Sequence, residues 1–241
     1  MHDLTNLGPR IILKFSDKFY ITETAVWGFI FAVVLAVLLL WLGSGLKKIP
    51  GRKQVVAEFI VQLVYNFTKN TMGKENLAYA PYVGTIILWI ALSNMAGMFG
   101  VRPPTTDINM TFALGSVTFI LIQRAAIKSA GIKGYIAHFA EPYPFMVPVK
   151  IIEEFTFPIS LSLRLFGNIL GGYIIVTLFM NLMSWLSESL LRLPIPIFEV
   201  ATPLPLNAFF DIFEPLLQSF IFTILTMAFI SKAIISKGEK H

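Results

Sequence analysis

The run TAVWGFIFAVVLAVLLLWLGSGL, residues 24–46, contains no charged side chain. An α-helix rises about 1.5 Å per residue, so about 20 residues cross the ~30 Å hydrocarbon core of a bilayer. The run ends at Lys47 and Lys48 and lacks a small-residue cleavage site, which is typical of a retained anchor rather than a cleaved signal. It predicts a first membrane span, preceded by an N-terminal segment, 1–22, on the outer side.

The composition of the whole chain agrees with a membrane protein. Of its 241 residues, 56% are hydrophobic and 14% are charged, whereas soluble domains average about a quarter charged. The net charge is +5, but the Lys and Arg residues cluster beside the apolar runs, as membrane topology requires, so nucleic acid is not expected as a partner. The absence of cysteine excludes disulfides and Cys-based metal sites.

Further apolar runs predict an all-α integral membrane protein, a single membrane domain with about five membrane helices. The ranges 83–101 and 108–123 are joined by the rigid turn RPPTTD and should form an antiparallel hairpin. The ranges 150–187 and 200–232 each exceed thirty residues, which as a helix is a length of about 50 Å or more. Because that length exceeds the bilayer core, these two helices must tilt strongly, bend or run partly along the membrane.

The range 54–70 predicts a helix of a different kind. Apolar residues recur at three- and four-residue spacing, and a polar stripe fills the opposite side. Such a helix either packs on a soluble core or lies flat on a membrane surface, and the neighbouring spans favour the second. A Gly-, Lys- and Pro-rich loop is expected at 128–148.

The basic residues predict the orientation of the chain. With the N-terminus outside and the C-terminus cytoplasmic, 13 Lys and Arg residues fall on the inner side and 5 on the outer side. Basic residues in short loops concentrate on the cytoplasmic side of membrane proteins, so this orientation is preferred. Arg164 is left over, inside an apolar helix.

Arg164 is the residue whose position in the sequence most clearly indicates a function. A lone arginine at the centre of a bilayer costs about 2.5–3.5 kcal/mol on insertion scales and 10 or more in simulations, so such a group faces protein or water. Ser160 and Asn168 lie one helical turn to either side, on the same face. Small residues nearby, Gly167, Gly171 and Gly172, permit close approach, either of a partner or of another helix of this chain.

The final helix carries the complementary feature. Asp211, Glu214 and Gln218 follow one another at three- and four-residue spacing, which predicts one stripe of an otherwise apolar helix. Buried carboxylates must be hydrated, paired or protonated. A water-filled ion path provides that setting, and a structural ion pair with Arg164 is the alternative. Glu153 and Glu154, at the inner start of the Arg164 helix, are weaker signals because the helix dipole favours acids there anyway.

Other kinds of chemistry find no support in the sequence. The three histidines are scattered, at position 138 and at the two termini, so no metal site is expected. The chain contains no GxxxxGK[ST], GxSxG or HExxH motif, so it is predicted to be no enzyme, with no nucleotide site and no cofactor.

Two stretches carry a resemblance to a known family. SLSLRLFGNILGG (residues 160–172) is similar to the signature of the a subunit of the F-type ATP synthase, and QSFIFTILTMAFIS (residues 218–231) resembles its C-terminal helix. PTTDIN (residues 104–109) and the amphipathic helix match as well. Three positions depart from the pattern: Tyr173 replaces a frequent glutamate, Lys150 a frequent acid and Phe157 a frequent basic residue.

The resemblance implies a bacterial plasma-membrane subunit that contacts a rotating c-ring, the stator subunit b and the rest of the ATP synthase. Its two last helices would curve along the c-ring. Two half-channels would carry H⁺ or Na⁺ to and from the ring, and Arg164 would be the essential arginine beside it. Asn168, Asp211, Glu214 and Gln218 would share in ion translocation, with Glu153, Glu154 and Ser160 in the inner channel. A stand-alone channel or secondary transporter, and a purely structural membrane anchor, are the alternatives.

Overall fold

The computed structural model describes residues 11–14, 20–140, 143–191 and 208–235. Helices dominate this part of the chain, and five of them are long and apolar enough to cross a membrane. The predicted all-α membrane fold is confirmed. In chain order the six main helices are α1 Glu23–Gly43, α2 Arg52–Met72, α3 Ala80–Asn94, α4 Ile108–Ala140, α5 Val147–Leu191 and α6 Glu214–Ile235.

Short elements connect these helices. A small antiparallel hairpin of β1 (Ile11–Lys14) and β2 (Tyr20–Thr22) precedes α1. A turn of π-helix, Ala208–Phe213, leads directly into α6, so the predicted helix 200–232 begins outside the described residues. The remaining short elements are 3₁₀ turns at Lys74–Tyr79, Met95–Phe99, Pro104–Thr106 and Pro144–Met146.

The second half of α4 differs from the expected loop. The helix continues to Ala140, and its regular geometry is broken at Gly131, where φ is +72°. Glycine tolerates this left-handed conformation because it has no Cβ. One glycine therefore turns the chain within the range 128–140, and the residues on both sides of it stay helical.

The core lies where α3, α4 and α6 meet. Met227 and Ile230 of α6 pack with Val83 of α3 and Ile122 of α4 in one cluster. A second cluster brings α5 onto this bundle through the fully buried side chain of Leu165 and its neighbours Leu161, Ile86, Ile90 and Phe222. Because Leu165 points into the bundle, the preceding residue, Arg164, is turned outward.

Helix α1 stands at the edge of the bundle. Its buried residues are Thr24, Gly28 and Phe31, and most of its other side chains are exposed. Trp89 of α3 donates a hydrogen bond from Nε1 to the Gly28 carbonyl at 3.3 Å. An exposed apolar surface of this kind is what a membrane helix presents to lipid.

The apolar side of α2 is divided between the bundle and the surroundings. Val64 packs on α3 at Gly84, and Phe67 stacks on Phe220 of α6 with 5.4 Å between ring centroids. Val55 and Phe59, by contrast, are 52% and 64% exposed. A helix at the membrane interface buries such a row in lipid.

Candidate ion-translocation site

The face of α5 that carries Arg164 is open. Ser160, Arg164, Gly167 and Asn168 are all exposed, and a Cβ added to Gly167 or Gly171 would meet nothing within 4 Å. The adjacent Gly172 is different, because its Cβ would lie 2.9 Å from Glu214 Oε2 and from a ring carbon of Phe210. Both interpretations of the glycines therefore apply: two leave an open surface, and the third permits packing within the chain.

The opposite side of α5 is held tightly against α4. A Cβ on Gly115 of α4 would collide with Ser162 Oγ and would lie 2.9 Å from the Pro158 carbonyl oxygen. That carbonyl accepts a hydrogen bond from Ser162 Oγ at 2.7 Å. The small residue at position 115 thus lets the two helices approach closely, which fixes the direction in which Arg164 faces.

Asn168 and Gln218 are joined directly. Asn168 Nδ2 donates to Gln218 Oε1 at 2.8 Å, and Gln218 is only 3% exposed. This bond connects α6 to α5 one helical turn from Arg164. Two residues that the sequence singled out on separate helices are therefore brought together beside the arginine.

Asp211 and Glu214 face two different elements of the fold. A Cβ on Gly97, in the 3₁₀ turn after α3, would lie 2.8 Å from Asp211 Oδ1, whereas Glu214 packs against Gly172 of α5. The sequence predicted one stripe, but the chain is π-helical at Asp211 and α-helical from Glu214 onward. Because a π-helix has more residues per turn than an α-helix, the two acids rotate away from a common line.

The alternative of a structural ion pair finds no support. Within the described ranges, Arg164 forms no ion pair with Asp211 or Glu214. The arginine faces the surroundings, and the acids lie between helices of this chain.

Arg102 belongs to the turn RPPTTD, and the sequence alone gives it no role beyond that of a loop charge. Its guanidinium carbon lies 5.8 Å from the centre of the Tyr173 ring, and its Nε donates to Thr106 Oγ1 at 3.1 Å. Tyr173 directly follows Gly172, which touches Glu214. The aromatic ring at this unusual position therefore meets a cation close to the acid pair.

The motif PTTDIN ties together the ends of three helices. Asp107, 5% exposed, accepts hydrogen bonds from Thr24 Oγ1 of α1 at 2.8 Å and from the Asn109 backbone N–H of α4 at 3.0 Å. Thr105 Oγ1 donates to Asn94 Oδ1 of α3. Asp107 thus caps α4 and satisfies its own buried carboxylate, which gives the motif a structural role.

A cavity of about 230 Å³ opens at the other end of α5 and α6. Both Glu153 and Glu154 line it, together with Lys150 and Phe157, two of the three positions that depart from the family pattern. Ser160 is not in the lining and lies on the Arg164 face. The remaining lining residues are Ile122, Gln123, Ala126, Ala130, Tyr135, Phe139, Phe229, Lys232 and Ala233.

Polar groups in this cavity are hydrogen-bonded to one another. Tyr135 Oη donates to Gln123 Oε1 at 2.6 Å, and Gln123 Nε2 donates to Glu154 Oε2 at 2.7 Å. Lys232 Nζ lies 3.3 Å from Glu153 Oε1, in a pair with both side chains more than two-thirds exposed. Such an exposed pair contributes little stability. Gln123, a polar residue at the end of the apolar run 108–123, was the sequence signal for this cluster.

The two groups of acids lie at opposite ends of the helix pair. The contact between Glu153 and Lys232 shows that α5 and α6 run antiparallel. At about 1.5 Å per residue, Glu214 lies about 27 Å from Lys232 along α6, and Arg164 about 15 Å from Glu154 along α5. Arg164 therefore lies between the two groups of acids along the helix pair. The described residues contain no set of three His, Cys, Asp or Glu able to hold a metal ion.

Comparisons with known proteins identify the family of the chain. The family model described as ATP synthase A chain matches residues 25–231. The chain is 33% identical to ATP synthase subunit a of Moorella thermoacetica, over 96% of this chain and 95% of the relative. It is 31% identical to ATP synthase subunit a 2 of a Bradyrhizobium species, over 90% of this chain and 92% of the relative. A sodium ion specific ATP synthase subunit a from Propionigenium modestum is 29% identical, over 90% of this chain and 75% of the relative.

The family match covers all five candidate spans almost completely and includes the Arg164 helix, Asp211 and Glu214. Identity above 30% extends over nearly the full length of two relatives. The chain belongs to the ATP synthase A chain family, the ion-translocating membrane subunits a of ATP synthase.

Proposed function

We propose that this chain is the ion-conducting stator subunit of a rotary ATP synthase and has no catalytic activity of its own. The observation that carries the proposal is the open face of α5, where Arg164 points away from the bundle. A charged group at membrane depth needs a polar partner, because lipid would leave it unsolvated. A carboxylate on a rotating c-ring supplies that partner.

The ion enters and leaves by separate half-channels on the two sides of Arg164. Asp211 and Glu214 belong to the outer path, and the cavity lined by Glu153 and Glu154 belongs to the inner path. Carboxylates concentrate protons or cations at each mouth because opposite charges attract. The separation of the two groups along the helices supports two offset paths rather than one continuous pore.

Arg164 has two tasks in this mechanism. Its guanidinium favours the ionised form of the ring carboxylate, so the ion is released when that carboxylate arrives. Its fixed positive charge also repels cations that would otherwise cross without rotation. Each crossing releases about 2.3 kcal/mol per 100 mV of membrane potential, and ring rotation transmits that energy to the catalytic part of the complex.

The bond between Asn168 and Gln218 fixes the position of this site. It holds α6 against α5 beside Arg164, so the arginine helix cannot rotate without breaking this partly buried hydrogen bond. A preorganised charge acts more strongly than one that must first move into place.

Purification of the complex tests the assignment as a whole. The proposal expects this chain to co-purify with a small ring-forming membrane protein, the stator subunit b and an ATPase head. A stand-alone channel or transporter would be isolated without them, which would contradict the proposal.

The open surface at Gly167 gives a prediction that tests contact with the ring. Gly167→Leu should leave the fold of the chain intact, since a Cβ there meets nothing within 4 Å. A leucine would nevertheless push α5 away from the ring. Because overpacking of this kind costs about 1–3 kcal/mol, ion-driven ATP synthesis should fall by about tenfold. Gly43→Leu, at an equally open position at the end of α1, is the matched control. Equal synthesis by both variants would show that the ring does not touch this face.

The proposed orientation places the N-terminus outside and the C-terminus in the cytoplasm of a bacterial cell. Because the chain has no cysteine, single cysteines at Phe99 and Ile49 report on topology. Both positions are well exposed, at 71% and 86%. An impermeant thiol reagent should label position 99 from the outer side and position 49 from the inner side. Labelling of both from one side would refute the orientation.

A further inference from the structure

The helical segment after Gly131 forms one wall of the inner cavity. The break at Gly131 separates residues 132–140 from the rest of α4. Tyr135 and Phe139, one helical turn apart, line the cavity. Ile132 and Ile136 are on the outer side of the segment, 68% and 64% exposed. The segment therefore lies across the cavity with one face inward and one face outward.

Hydrogen bonds connect this wall to Glu154. The Tyr135 hydroxyl donates to the Gln123 carbonyl oxygen, and the Gln123 amide nitrogen donates to the Glu154 carboxylate. Gln123 thus contacts the segment with one end of its amide and the carboxylate with the other. A displacement of Tyr135 would remove the hydrogen bond that orients the Gln123 amide. The Gln123 side chain could then turn away from the Glu154 carboxylate.

We propose that Gln123 and Tyr135 are positioning residues for Glu154, and that the segment 132–140 opens and closes the inner cavity about Gly131. In the closed state the Gln123 amide donates a hydrogen bond to the Glu154 carboxylate. In the open state the carboxylate is free to exchange protons or cations with the cytoplasm. The proposed role in ion exchange rests on the inner path described above, whereas the movement of the segment does not.

Thiol labelling tests the movement. In the complete ATP synthase in vesicles with the inner side exposed, a single cysteine replaces Ala126 in the cavity wall. A hydrogen bond between neutral groups changes an opening equilibrium by about fivefold. Tyr135→Phe, which removes only the hydroxyl, should therefore raise the labelling rate by an impermeant methanethiosulfonate about fivefold. Tyr82→Phe is the matched control. The Tyr82 hydroxyl is hydrogen-bonded to Thr118 Oγ1 at 3.0 Å, and neither residue lines the cavity.

A second variant covers the case in which Tyr135→Phe does not assemble. Gly131→Ala disfavours the left-handed backbone of the hinge by about fivefold or more, so it should displace the segment and accelerate labelling as well. Unchanged labelling in the variant that assembles, or no labelling in either parent or variant, would overturn the movement.

Pumping separates this inference from the proposed function. Tyr135→Phe should shift the inner ion concentration that gives half-maximal ATP-driven pumping by about threefold or more, whereas a merely structural defect would lower only the maximal rate. Faster labelling with an unshifted half-maximal concentration would support the moving segment and contradict the role of Glu154 in the inner path. Unchanged labelling with a normal effect of Arg164 substitution would reject the segment and leave the proposed function in place.

Discussion

Arg164→Ala should abolish ATP synthesis driven by an ion gradient while the complex still assembles. The side chain is exposed on α5, and the fold beneath it depends on Leu161 and Leu165, so truncation removes charge without removing core packing. Without the fixed charge, the ring carboxylate no longer releases its ion reliably, and ions can pass between the two paths. The measurement is ATP synthesis in vesicles energised by an imposed gradient, together with passive leak.

Two controls make the result specific. Arg124→Ala removes an exposed arginine from the middle of α4 and should leave synthesis close to that of the parent. Arg164→Lys should rescue poorly, because an ammonium is a compact charge that loses its proton when desolvated and lacks the planar guanidinium. Synthesis above half of the parent level in Arg164→Ala would disprove the proposed role.

The membrane fold was predictable because the bilayer imposes simple requirements on length and polarity. The charge-free run at 24–46 needed only a count of residues, and it corresponds to α1, Glu23–Gly43. Arg164 stood out for the same reason, since a lone charge in an apolar helix has few acceptable environments. These inferences depend on the solvent and not on detailed packing, so a sequence is sufficient for them.

Other features depend on local geometry that the pattern does not encode. The π-helical turn at Ala208–Phe213 turns Asp211 and Glu214 toward different neighbours, although their spacing indicates a single stripe. The break at Gly131 replaces an expected loop by two helical pieces. Each is decided by one backbone adjustment within an apolar stretch, and hydrophobic periodicity is the same with or without it.

Contacts between residues that are distant in the chain could not be predicted from the sequence either. Arg102 and Tyr173 are far apart in the chain, and so are Gln123 and Glu154, yet each pair meets in the fold. Asn168 and Gln218 were both chosen from the sequence, but their hydrogen bond emerges only when α5 and α6 are packed. The sequence identified which polar residues needed an explanation, and the packing determined their partners.

Asp211 and Glu214 give the second large prediction, since the proposed outer path depends on their charge. The double variant Asp211→Asn, Glu214→Gln should slow ATP-driven pumping by about tenfold. Amides preserve the shape of both side chains against Gly97 and Gly172, but they no longer attract protons or cations. Asp211→Asn alone should slow pumping several-fold, and Glu214→Gln should have a milder effect if the two acids share the task.

Passive leak distinguishes these acids from Arg164. In the proposed mechanism the acids supply ions to the ring, and Arg164 forms the barrier. The double variant should therefore pump slowly in vesicles that remain tight, whereas loss of Arg164 should make them leaky. Glu58→Gln, an exposed acid on α2 that accepts a hydrogen bond from Gln54, is the matched control and should pump normally. Both quantities are measured in the same vesicles, because a leak would otherwise imitate slow pumping. Normal pumping by the double variant would mean that ions reach Arg164 by a route that avoids α6.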